Sequence, residues 1–579
     1  MAVILGLSAF HPDSAACLVI DGVLQSVIAE ERLGKRIKHS PEFPQNAIRH
    51  VLQEAGVQLK DITHVAIARN ENANYIAKMD YVLKHPIRSA KVVAEHFRRR
   101  GHIINLKDSI AEITDSDPSK AKFKIIKVEH HLAHIASAYY LSPFDNLTAG
   151  FSYDGSGDFV SAMSLRCEGS HVEILDRIYI PHSLGFFYTA LCQFIGFTQF
   201  GEEYKVMGLA PYGEDVYAEF MEELVQKRGN GRFSLNTSYF GMDNWEDLTM
   251  DENGNINMGR CYTNLLINHL GPPRERNEPI GKREKDIAKS CQSRFEEIAI
   301  HCINHLHEQL PSNQIAMAGG CSLNGVTNTR ILRDTAFQKQ YIQCAASDDG
   351  TCLGAAYYCW HMILKQNKRF HMYHAYWGPE YSDERLCKVS ESSNMLVKRY
   401  DNEKLLDVVS DYLVQGKVVG WYQSKSEWGP RALGNRSILA NPTLPDMKDI
   451  INAKIKKRES FRPFAPTVLK EFVGVYFEQD IESPFMMHVV KIRPEWRAKL
   501  PAITHVDGTG RLQSLSRESN PRFYDLIEVF RRKTGVAVLL NTSFNENEPI
   551  VDTPEQAMAC FIRTDIDVLC LGNYVIVKP

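Results

Sequence analysis

Short apolar runs separated by polar turns open the chain, and they predict a β-meander. Val3–Ser8, Ser14–Ile20 and Val23–Ala29 each have the length and apolar content of a strand. An Asp-Gly pair at residues 21–22 supplies a hairpin turn between the second and third strands. A helical apolar period follows the meander and ends at Gly56.

The same strand–turn–strand pattern returns further along the chain. Thr148–Tyr153, Phe159–Arg166 and Val172–Ile180 are predicted strands, and a glycine-rich turn at residues 154–157 follows the first of them. A repeated unit of this kind predicts two similar lobes. Paired turns that face each other across a cleft resemble the actin–hexokinase–chaperone ATPase fold (ASKHA), in which such turns hold nucleotide phosphates.

Later segments extend the second lobe and then begin a second domain. Gln314–Ala318 is a predicted strand that enters a glycine-rich loop, and Ala345–Gly350 is predicted as another strand end. Leu364–Arg369 is polar and basic and is interpreted as a linker. Strands predicted at Val418–Tyr422 and Val536–Leu540, with helical stretches between them, indicate a second α/β domain. The predicted domains are therefore residues 1–365 and 373–579.

Charge and cysteine content exclude several classes of protein. The net charge is −3, whereas a nucleic-acid-binding domain normally has a basic excess, so no nucleic-acid partner is expected. The 13 cysteines contain no C-x-x-C pair, which favours reduced thiols in the cytoplasm over a disulfide framework or a zinc ribbon. The N-terminus is typical of a strand rather than a signal peptide, and no membrane partner is expected because no apolar run approaches about 18 residues.

Two histidines and two aspartates form a candidate metal site. His130 and His134 are four residues apart, so on a helix they share a face and can bind one ion. Asp154 and Asp348 each lie where a predicted strand ends, at corresponding places in the two lobes. Two imidazoles and two carboxylates suit iron, manganese or zinc. By contrast, His301 and His305 have the same spacing on an amphipathic helix with no carboxylate turn, and they are interpreted as helix surface.

The first turn carries a candidate proton acceptor. His11 follows the first predicted strand and is expected to face the cleft. An unperturbed imidazole titrates near pH 6.5 and can accept the proton of a hydroxyl. His11 is therefore predicted to be the catalytic base.

The back third of the chain contains a candidate anion site. Arginines lie among glycine, proline, tryptophan and phenylalanine in three segments, which are Trp428–Ser437, Lys456–Pro466 and Asp507–Arg511 paired with Leu540–Asn545. Exposed helix faces do not have this composition, and guanidinium groups match phosphate and carbamate oxygens two at a time. By contrast, Arg98–Arg100 follows an amphipathic stretch and is interpreted as the basic end of a helix.

These residues resemble a known family. The metal set resembles that of the universal tRNA threonylcarbamoyltransferases, and Ala318–Asn324 resembles their nucleotide loop. The closer resemblance is to the NodU/CmcH-type O-carbamoyltransferases and covers nearly the whole chain. Further family-like segments are His11–Ala16, Glu30–Arg32 with Lys38 and His39, and Glu203–Gly213, although Pro12 replaces the aspartate that usually follows the histidine.

The resemblance implies a fold, an activity and ligands. The N-terminal domain would be a duplicated ASKHA-type domain and the C-terminal domain a YrdC-like α/β domain. The second would form carbamoyl adenylate from ATP, accompanied by Mg²⁺, and carbamoyl phosphate. The first would transfer the carbamoyl group to a hydroxyl of a small-molecule natural product with the help of a divalent metal, for which the family favours Fe(II). Site residues on this basis are, for catalysis, Lys456 and Arg462; for carbamoyl phosphate and ATP, Arg431, Arg436, Arg511, Ser543 and Asn541; and for nucleotide in the N-terminal domain, Gly155, Lys205, Gly319, Gly320 and Asn324.

Alternatives remain open at this point. A tRNA threonylcarbamoyltransferase-like enzyme would need an electropositive surface for tRNA, which the near-neutral charge does not favour. A HypF-type maturation protein would carry C-x-x-C pairs that this chain lacks. A non-enzymatic nucleotide-binding protein of the actin fold would explain the paired turns but not the arginine segments. The acceptor is not readable, and residues 69–107 or 233–277 are candidates to contact it. A homodimer is one expectation for its assembly.

Overall fold

A computed structural model describes residues 1–84, 105–241, 248–250, 256–393, 395–459 and 461–578. The chain divides into two compact units, Met1–Met372 and Tyr373–Pro579, which we call the first and second units. The predicted linker Leu364–Arg369 is part of the first unit, because the Arg369 guanidinium lies 4.5 Å from the ring centroid of Tyr139 and donates to its carbonyl. The predicted helix end at Arg98–Arg100 lies outside the described residues.

The first five strands form one sheet in the order β3-β2-β1-β4-β5. Their bounds are β1 Val3–Ser8, β2 Ala15–Ile20, β3 Val23–Ala29, β4 His64–Ile67 and β5 Lys124–Lys127. Strands β1 to β3 are antiparallel, as the hairpin turn predicts, whereas β4 pairs parallel to β1 and to β5. Apolar side chains on this sheet pack against a helix at Gln45–Glu54, which holds the meander in place.

A second sheet repeats this topology in the order β8-β7-β6-β13-β14. Its strands are β6 Thr148–Gly157, β7 Val160–Glu168, β8 His171–Tyr179, β13 Gln314–Ala318 and β14 Lys339–Ile342. Strand β6 is antiparallel to β7 and parallel to β13, as β1 is to β2 and β4. The predicted duplication is therefore confirmed.

Two local predictions in this sheet were wrong. Residues 154–157 do not form a separate turn, because β6 continues to Gly157 with a register shift after Tyr153. Ala345–Gly350 is not a strand end, because β14 ends at Ile342 and a short 3₁₀ turn follows at Asp348–Gly350. In both segments the chain presents polar groups. The spacing of apolar residues therefore does not predict the conformation of these segments.

Four short strands complete the strands described for the first unit; they are β9 Val225–Lys227, β10 Phe233–Leu235, β11 Leu248–Met250 and β12 Ile256–Met258. Its described α-helices are Glu30–Leu33, Gln45–Glu54, Tyr75–Lys84, Leu106–Ile113, His130–Tyr139, Leu184–Phe194, Glu203–Leu209, Ala218–Leu224, Asn264–Leu270, Lys282–Gln309, Gly325–Asp334 and Thr351–Tyr358. The interpretation of His301 and His305 as helix surface holds, since both are partly exposed on Lys282–Gln309.

The second unit is built on one mixed sheet in the order β15-β23-β22-β16-β17-β21-β18-β20-β19. The strands are β15 Leu396–Arg399, β16 Val419–Tyr422, β17 Arg436–Ala440, β18 Ala465–Leu469, β19 His488–Lys491, β20 Thr509–Leu515, β21 Val538–Ser543, β22 Val568–Leu571 and β23 Tyr574–Val577. Its α-helices are Asp383–Glu391, Asn402–Val414, Met447–Ile450, Val473–Tyr476, Pro494–Arg497, Pro521–Thr534 and Pro554–Arg563. The predicted α/β class is confirmed, with one large apolar core along the sheet.

Cysteine state and membrane character were also predicted from sequence. Each of the thirteen cysteines lies in a described range and is free. Among the helices that the structure describes, none combines the length and the apolar character that crossing a bilayer requires.

Candidate active site

The helix His130–Tyr139 presents two histidines to the predicted metal site. All ten of its residues are buried, which is expected of a helix between packed layers. Its first turn is anchored because the Asp158 carboxylate accepts the His130 N–H at 2.9 Å. Glu129, at the N-cap, receives two hydrogen bonds from Arg177. The helix is thus fixed at the end that carries the histidines.

The structure brings all four predicted metal ligands together. His130, His134, Asp154 and Asp348 each offer one ligand atom, and these atoms lie within 4.8 Å of one another. Nε2 of His134 lies 3.0 Å from Nε2 of His130 and 3.1 Å from Oδ2 of Asp154. Oδ1 of Asp348 lies 3.2 Å from Nε2 of His130 and 3.4 Å from Nε2 of His134.

The electrostatics of this cluster suit a cation. Burial acts to lower the pKa of His134, but hydrogen bonds accepted by Asp154 and Asp348 raise it to about 9. Burial opposes ionisation of Asp348, yet the facing imidazoles of His130 and His11 hold its pKa well below the usual range. Two imidazole nitrogens at 3.0 Å beside two carboxylates have the geometry and donor set of a divalent-metal site, so the residues fit the predicted ion.

His11 lies beside this cluster rather than free in a cleft. Its Nδ1 lies 3.1 Å from Oδ2 of Asp348 and also contacts the Pro12 carbonyl, and its Nε2 lies 3.2 Å from Oγ of Ser8. Burial lowers its pKa to about 4, although the charge of Asp348 acts in the opposite direction. Both ring nitrogens therefore have protein partners at the edge of the metal cluster, and the role of His11 as proton acceptor stays a prediction.

Three of the predicted nucleotide-binding glycines gather around Asp154. Its carboxylate accepts the N–H groups of Gly155 at 2.6 Å and Gly320 at 3.0 Å. Gly319 has φ +97°, and a Cβ there would lie 2.2 Å from the Tyr153 carbonyl oxygen, so only glycine fits. A Cβ at Gly320 would lie 2.9 Å from Oδ1 of Asp154. The glycine turns and the metal cluster therefore form one site.

The other two predicted nucleotide ligands have protein partners. Lys205 is paired with Glu202 at 2.8 Å and is nearly buried. Asn324 accepts the Thr327 N–H at the start of the helix Gly325–Asp334 and donates to Gln292. Their contribution to nucleotide binding stays a prediction.

In the second unit, the positive charges of several arginines act on one half-buried guanidinium. Burial lowers the pKa of Arg511 far below its ordinary range, and the positive charges of Arg431, Arg458 and Arg462 act in the same direction. Nε of Arg511 is buried without a hydrogen-bond partner among the described residues. Such an arrangement is costly unless an anion completes it. Arg458 was not among the predicted ligands, although it lies in the Lys456–Pro466 segment that contains Arg462.

The structure does not support an anion contact for Arg436. This side chain is fully buried and lies 3.7 Å from the ring centroid of Tyr422. Its guanidinium donates to the backbone carbonyls of Gln423, Asn435 and Asp552. Since its donors are occupied by backbone oxygens, Arg436 has a structural role at the start of β17.

Lys456 and Ser543 meet, as the resemblance implies, but within a cage of protein oxygens. Nζ of Lys456 donates to the Ser543 carbonyl at 2.5 Å and to Oδ1 of Asn545 at 2.6 Å. Asn541 is buried and donates to the Ala432 carbonyl, beside Arg431. Both side chains therefore support the loops that carry the arginines, and direct ligand contacts by them stay predictions.

Glu427 is a site residue that sequence reasoning missed. Its Oε1 accepts the N–H groups of Leu433, Asn435 and Arg436 at 2.7–3.1 Å. One carboxylate thus closes the loop that presents Arg431. A glutamate directly before the Trp428–Ser437 segment was the available signal.

Comparison with known proteins follows the division into two units. Residues 3–357 match the family model described as Carbamoyltransferase N-terminus, and residues 410–578 match Carbamoyltransferase C-terminus. The nodulation protein NolNO of Sinorhizobium fredii is 36% identical over 98% of this chain and 79% of its own length. The uncharacterized protein sll1178 of Synechocystis is 37% identical over 100% of this chain and 97% of its own length.

Among solved structures, full-length HypF in its phosphate- and nucleotide-bound form covers 62% of this chain and 46% of its own. It has a TM-score of 0.31 and 13% identity. The sequence matches alone are sufficient to establish the family. The model of the N-terminal part covers more than half of the chain, and relatives above 30% identity span nearly all of it. This chain is therefore an enzyme of the carbamoyltransferase family.

Proposed function

We propose that this enzyme is an ATP-dependent O-carbamoyltransferase. The second unit would form carbamoyl adenylate from carbamoyl phosphate and ATP, and the first unit would transfer the carbamoyl group to a hydroxyl of a small molecule. The observation that supports the proposal is the arginine cluster around Arg511, whose neighbouring positive charges and unpaired Nε favour an anionic ligand.

The reaction proceeds in two balanced stages. Water first cleaves carbamoyl phosphate to carbamate and phosphate. A carbamate oxygen then attacks the α-phosphorus of ATP, and pyrophosphate leaves with the electrons of the broken P–O bond. In the second stage, the acceptor oxygen bonds to the carbamoyl carbon and AMP leaves. Attachment to AMP converts a poor acylating agent into one with a good leaving group.

The arginines of the second unit suit the first stage. Guanidinium groups bind phosphate and carboxylate oxygens in pairs, and Arg431, Arg462 and Arg511 supply several such forks. Converging cations stabilise negative charge that develops on a transferring phosphoryl group. Glu427 and Lys456 hold the loops that present these arginines. Mg²⁺ would accompany the ATP.

The first unit suits the second stage. His130, His134, Asp154 and Asp348 would hold a divalent metal, which acts as a Lewis acid toward phosphate or carbonyl oxygens when bound. The resemblance to the family favours Fe(II), and the donor set also suits manganese or zinc. Gly319 and Gly320 allow the predicted nucleotide loop to pack directly against Tyr153 and Asp154.

Pyrophosphate release tests the proposal. Wild-type protein is incubated with ATP, Mg²⁺ and isotope-labelled carbamoyl phosphate, and pyrophosphate and AMP are measured. Arg511→Met should reduce pyrophosphate release by about 10²-fold, because one positioned donor of this kind contributes about 10²–10³ in rate. Arg517→Met is the matched control, since Arg517 is exposed and paired with Asp525.

The proposal is contradicted if wild-type protein releases no pyrophosphate that depends on carbamoyl phosphate. Equal activity of Arg511→Met and Arg517→Met would show, independently of that result, that the arginine cluster does not take part in the reaction. Mass analysis of a panel of hydroxylated metabolites incubated with wild-type protein would then identify the acceptor.

A further inference from the structure

A second Asp–His pair lies in the first unit, apart from the four metal ligands. Nδ1 of His39 lies 2.6 Å from Oδ1 of Asp13. Both residues have left-handed backbone conformations, with φ +68° at Asp13 and +59° at His39. Non-glycine residues in this region are strained, and such residues cluster at functional sites. Two of them facing each other in one ion pair indicate that the fold maintains this contact.

The loops around the pair hold it firmly. The N–H of His39 donates to Oε2 of Glu31 at 3.0 Å, and the Ser14 N–H donates to the Ser40 carbonyl. The ring of His39 packs edge-on against Phe200, with ring centroids 5.1 Å apart. The imidazole is therefore oriented by several contacts rather than by Asp13 alone.

The pair is connected to the metal and nucleotide site. Oδ2 of Asp13 accepts a hydrogen bond from Oγ of Ser347 at 3.2 Å, and Ser347 directly precedes the metal ligand Asp348. The same Oγ would lie 3.7 Å from a Cβ at Gly320, in the predicted nucleotide loop. His39 is thus linked through Asp13 and Ser347 to the place where the activated carbamoyl group would be held.

The imidazole of His39 is partly exposed, and its outer nitrogen is not used in a protein hydrogen bond. Its side chain is 29% exposed, against 10% for His11. Within the part of the chain that the structure describes, Nε2 of His39 has no hydrogen-bond partner. Gly201 packs against this edge of the ring, because a Cβ there would lie 2.0 Å from Nε2, so no larger residue fits. A carboxylate on Nδ1 and an Nε2 without a protein hydrogen bond are the arrangement of a histidine general base.

We propose that His39 accepts the proton of the acceptor hydroxyl in the transfer step and that Asp13 positions it. The inference rests on the proposed function. As the acceptor oxygen bonds to the carbamoyl carbon, its proton moves to Nε2 of His39. The bond from that carbon to the AMP phosphate oxygen breaks, and AMP leaves with the electron pair. His39 then returns the proton to solvent.

The charges around His39 determine the pH at which it can accept a proton. Burial acts to lower its pKa, but Asp13 and Glu31 raise it to about 9, against the effect of Lys38. Glu203 also faces the imidazole and is affected by its charge. The deprotonated fraction of His39 therefore increases as the pH rises toward 9, and the rate of transfer should increase with it.

The experiment uses the full-length protein with ATP, Mg²⁺, Mn²⁺ and isotope-labelled carbamoyl phosphate. Pyrophosphate reports the first stage. Carbamoylated product from a panel of hydroxylated probes, or AMP and carbamate formed with water where no probe reacts, reports the second. The variants are His39→Ala, Asp13→Asn and the control His64→Ala, in which a partly exposed histidine bonded to Thr63 is removed.

We expect His39→Ala to keep pyrophosphate release within about twofold and to lose roughly 10²–10⁴ in transfer rate, the usual contribution of a general base. Added imidazole should restore part of this loss, and Asp13→Asn should reduce transfer by a smaller factor. His64→Ala should match wild type in both stages.

Unchanged transfer in His39→Ala would overturn the inference. An equal fall of both stages in that variant would do the same, because it would indicate a structural role. Absence of pyrophosphate from wild-type protein is a different result, since it contradicts the proposed function itself.

Discussion

Nδ1 of His11 lies 3.1 Å from Oδ2 of Asp348, while Oδ1 of the same carboxylate contacts Nε2 of His130 and Nε2 of His134. The two oxygens of Asp348 are thus divided between a supporting histidine and the metal site. Oγ of Ser8 contacts His11 and donates to the Asp348 carbonyl, which fixes the arrangement from behind. Partners of this kind orient metal ligands in many proteins.

Replacing His11 should therefore weaken metal binding. His11→Ala is expected to lower the affinity for Mn²⁺ by about 10- to 100-fold, because Asp348 loses the group that orients it. His11→Asn should retain much of the affinity, since its amide can donate to the same oxygen. Calorimetric titration of the apoprotein measures both. Equal affinities for wild type and His11→Ala would show that Asp348 is held without His11.

Removing a metal ligand should separate the two stages of the reaction. His134→Ala is expected to abolish stoichiometric metal binding and carbamoyl transfer, because one of the four ligand atoms is lost. Pyrophosphate release should stay near the wild-type rate, since the arginine cluster belongs to the other unit. Metal content by mass spectrometry and a pyrophosphate assay are the measurements. A variant that still carries one metal per chain would contradict the assignment.

Two arginines of the second unit should respond in opposite ways to replacement. Arg436→Met should destabilise this unit by about 1–3 kcal/mol, because buried backbone carbonyls lose their donors. Arg511→Met should leave thermal stability unchanged or raise it, because like-charge repulsion from Arg431, Arg458 and Arg462 is relieved. Thermal unfolding without ligand tests both. A stable Arg436→Met protein would refute the structural role given to that residue.

Glu427 should act on anion binding through the loop it closes. Glu427→Ala leaves three N–H groups without their acceptor, so Arg431 should lose its position. We expect a fall of about 10²-fold in kcat/KM for carbamoyl phosphate, the effect of a misplacement near 1 Å. Glu427→Gln retains an acceptor oxygen and should be less affected. Matching kinetics for all three proteins would contradict this role.

The Asp13–His39 pair predicts a pH dependence of stability. The pKa of His39 is raised from 6.5 to about 9 on folding, so its stabilising contribution is complete below pH 6.5. It is lost as the pH rises through 9. The difference in unfolding temperature between wild type and Asp13→Asn should therefore shrink between pH 6.5 and 9. A difference that is constant over this range would show that the pair is not charged.

Local patterns predicted much of the fold. Strands β1 and β3 and strand β13 have the predicted bounds, because alternating or continuous apolar runs between turns leave few other conformations. Strand β6 was predicted too short, because the glycines after Tyr153 indicate a turn locally while the neighbouring strand β7 extends the pairing to Gly157. Pairing between two strands is not visible in the residue pattern of one of them.

Within the candidate site, residue types and spacing were sufficient to group His130, His134, Asp154 and Asp348, although neither aspartate lies at the strand end that was predicted for it. Residue types were also sufficient to group the arginine-rich segments of the second unit. The tertiary structure alone decided the function of each side chain within these groups. It buried Arg436 against Tyr422 and engaged both nitrogens of His11. It also paired Nδ1 of His39 with Asp13 and left the ring partly exposed. Whether a charged or titratable group can meet a ligand depends on which distant segments pack around it, and contacts between distant segments are set by the whole fold.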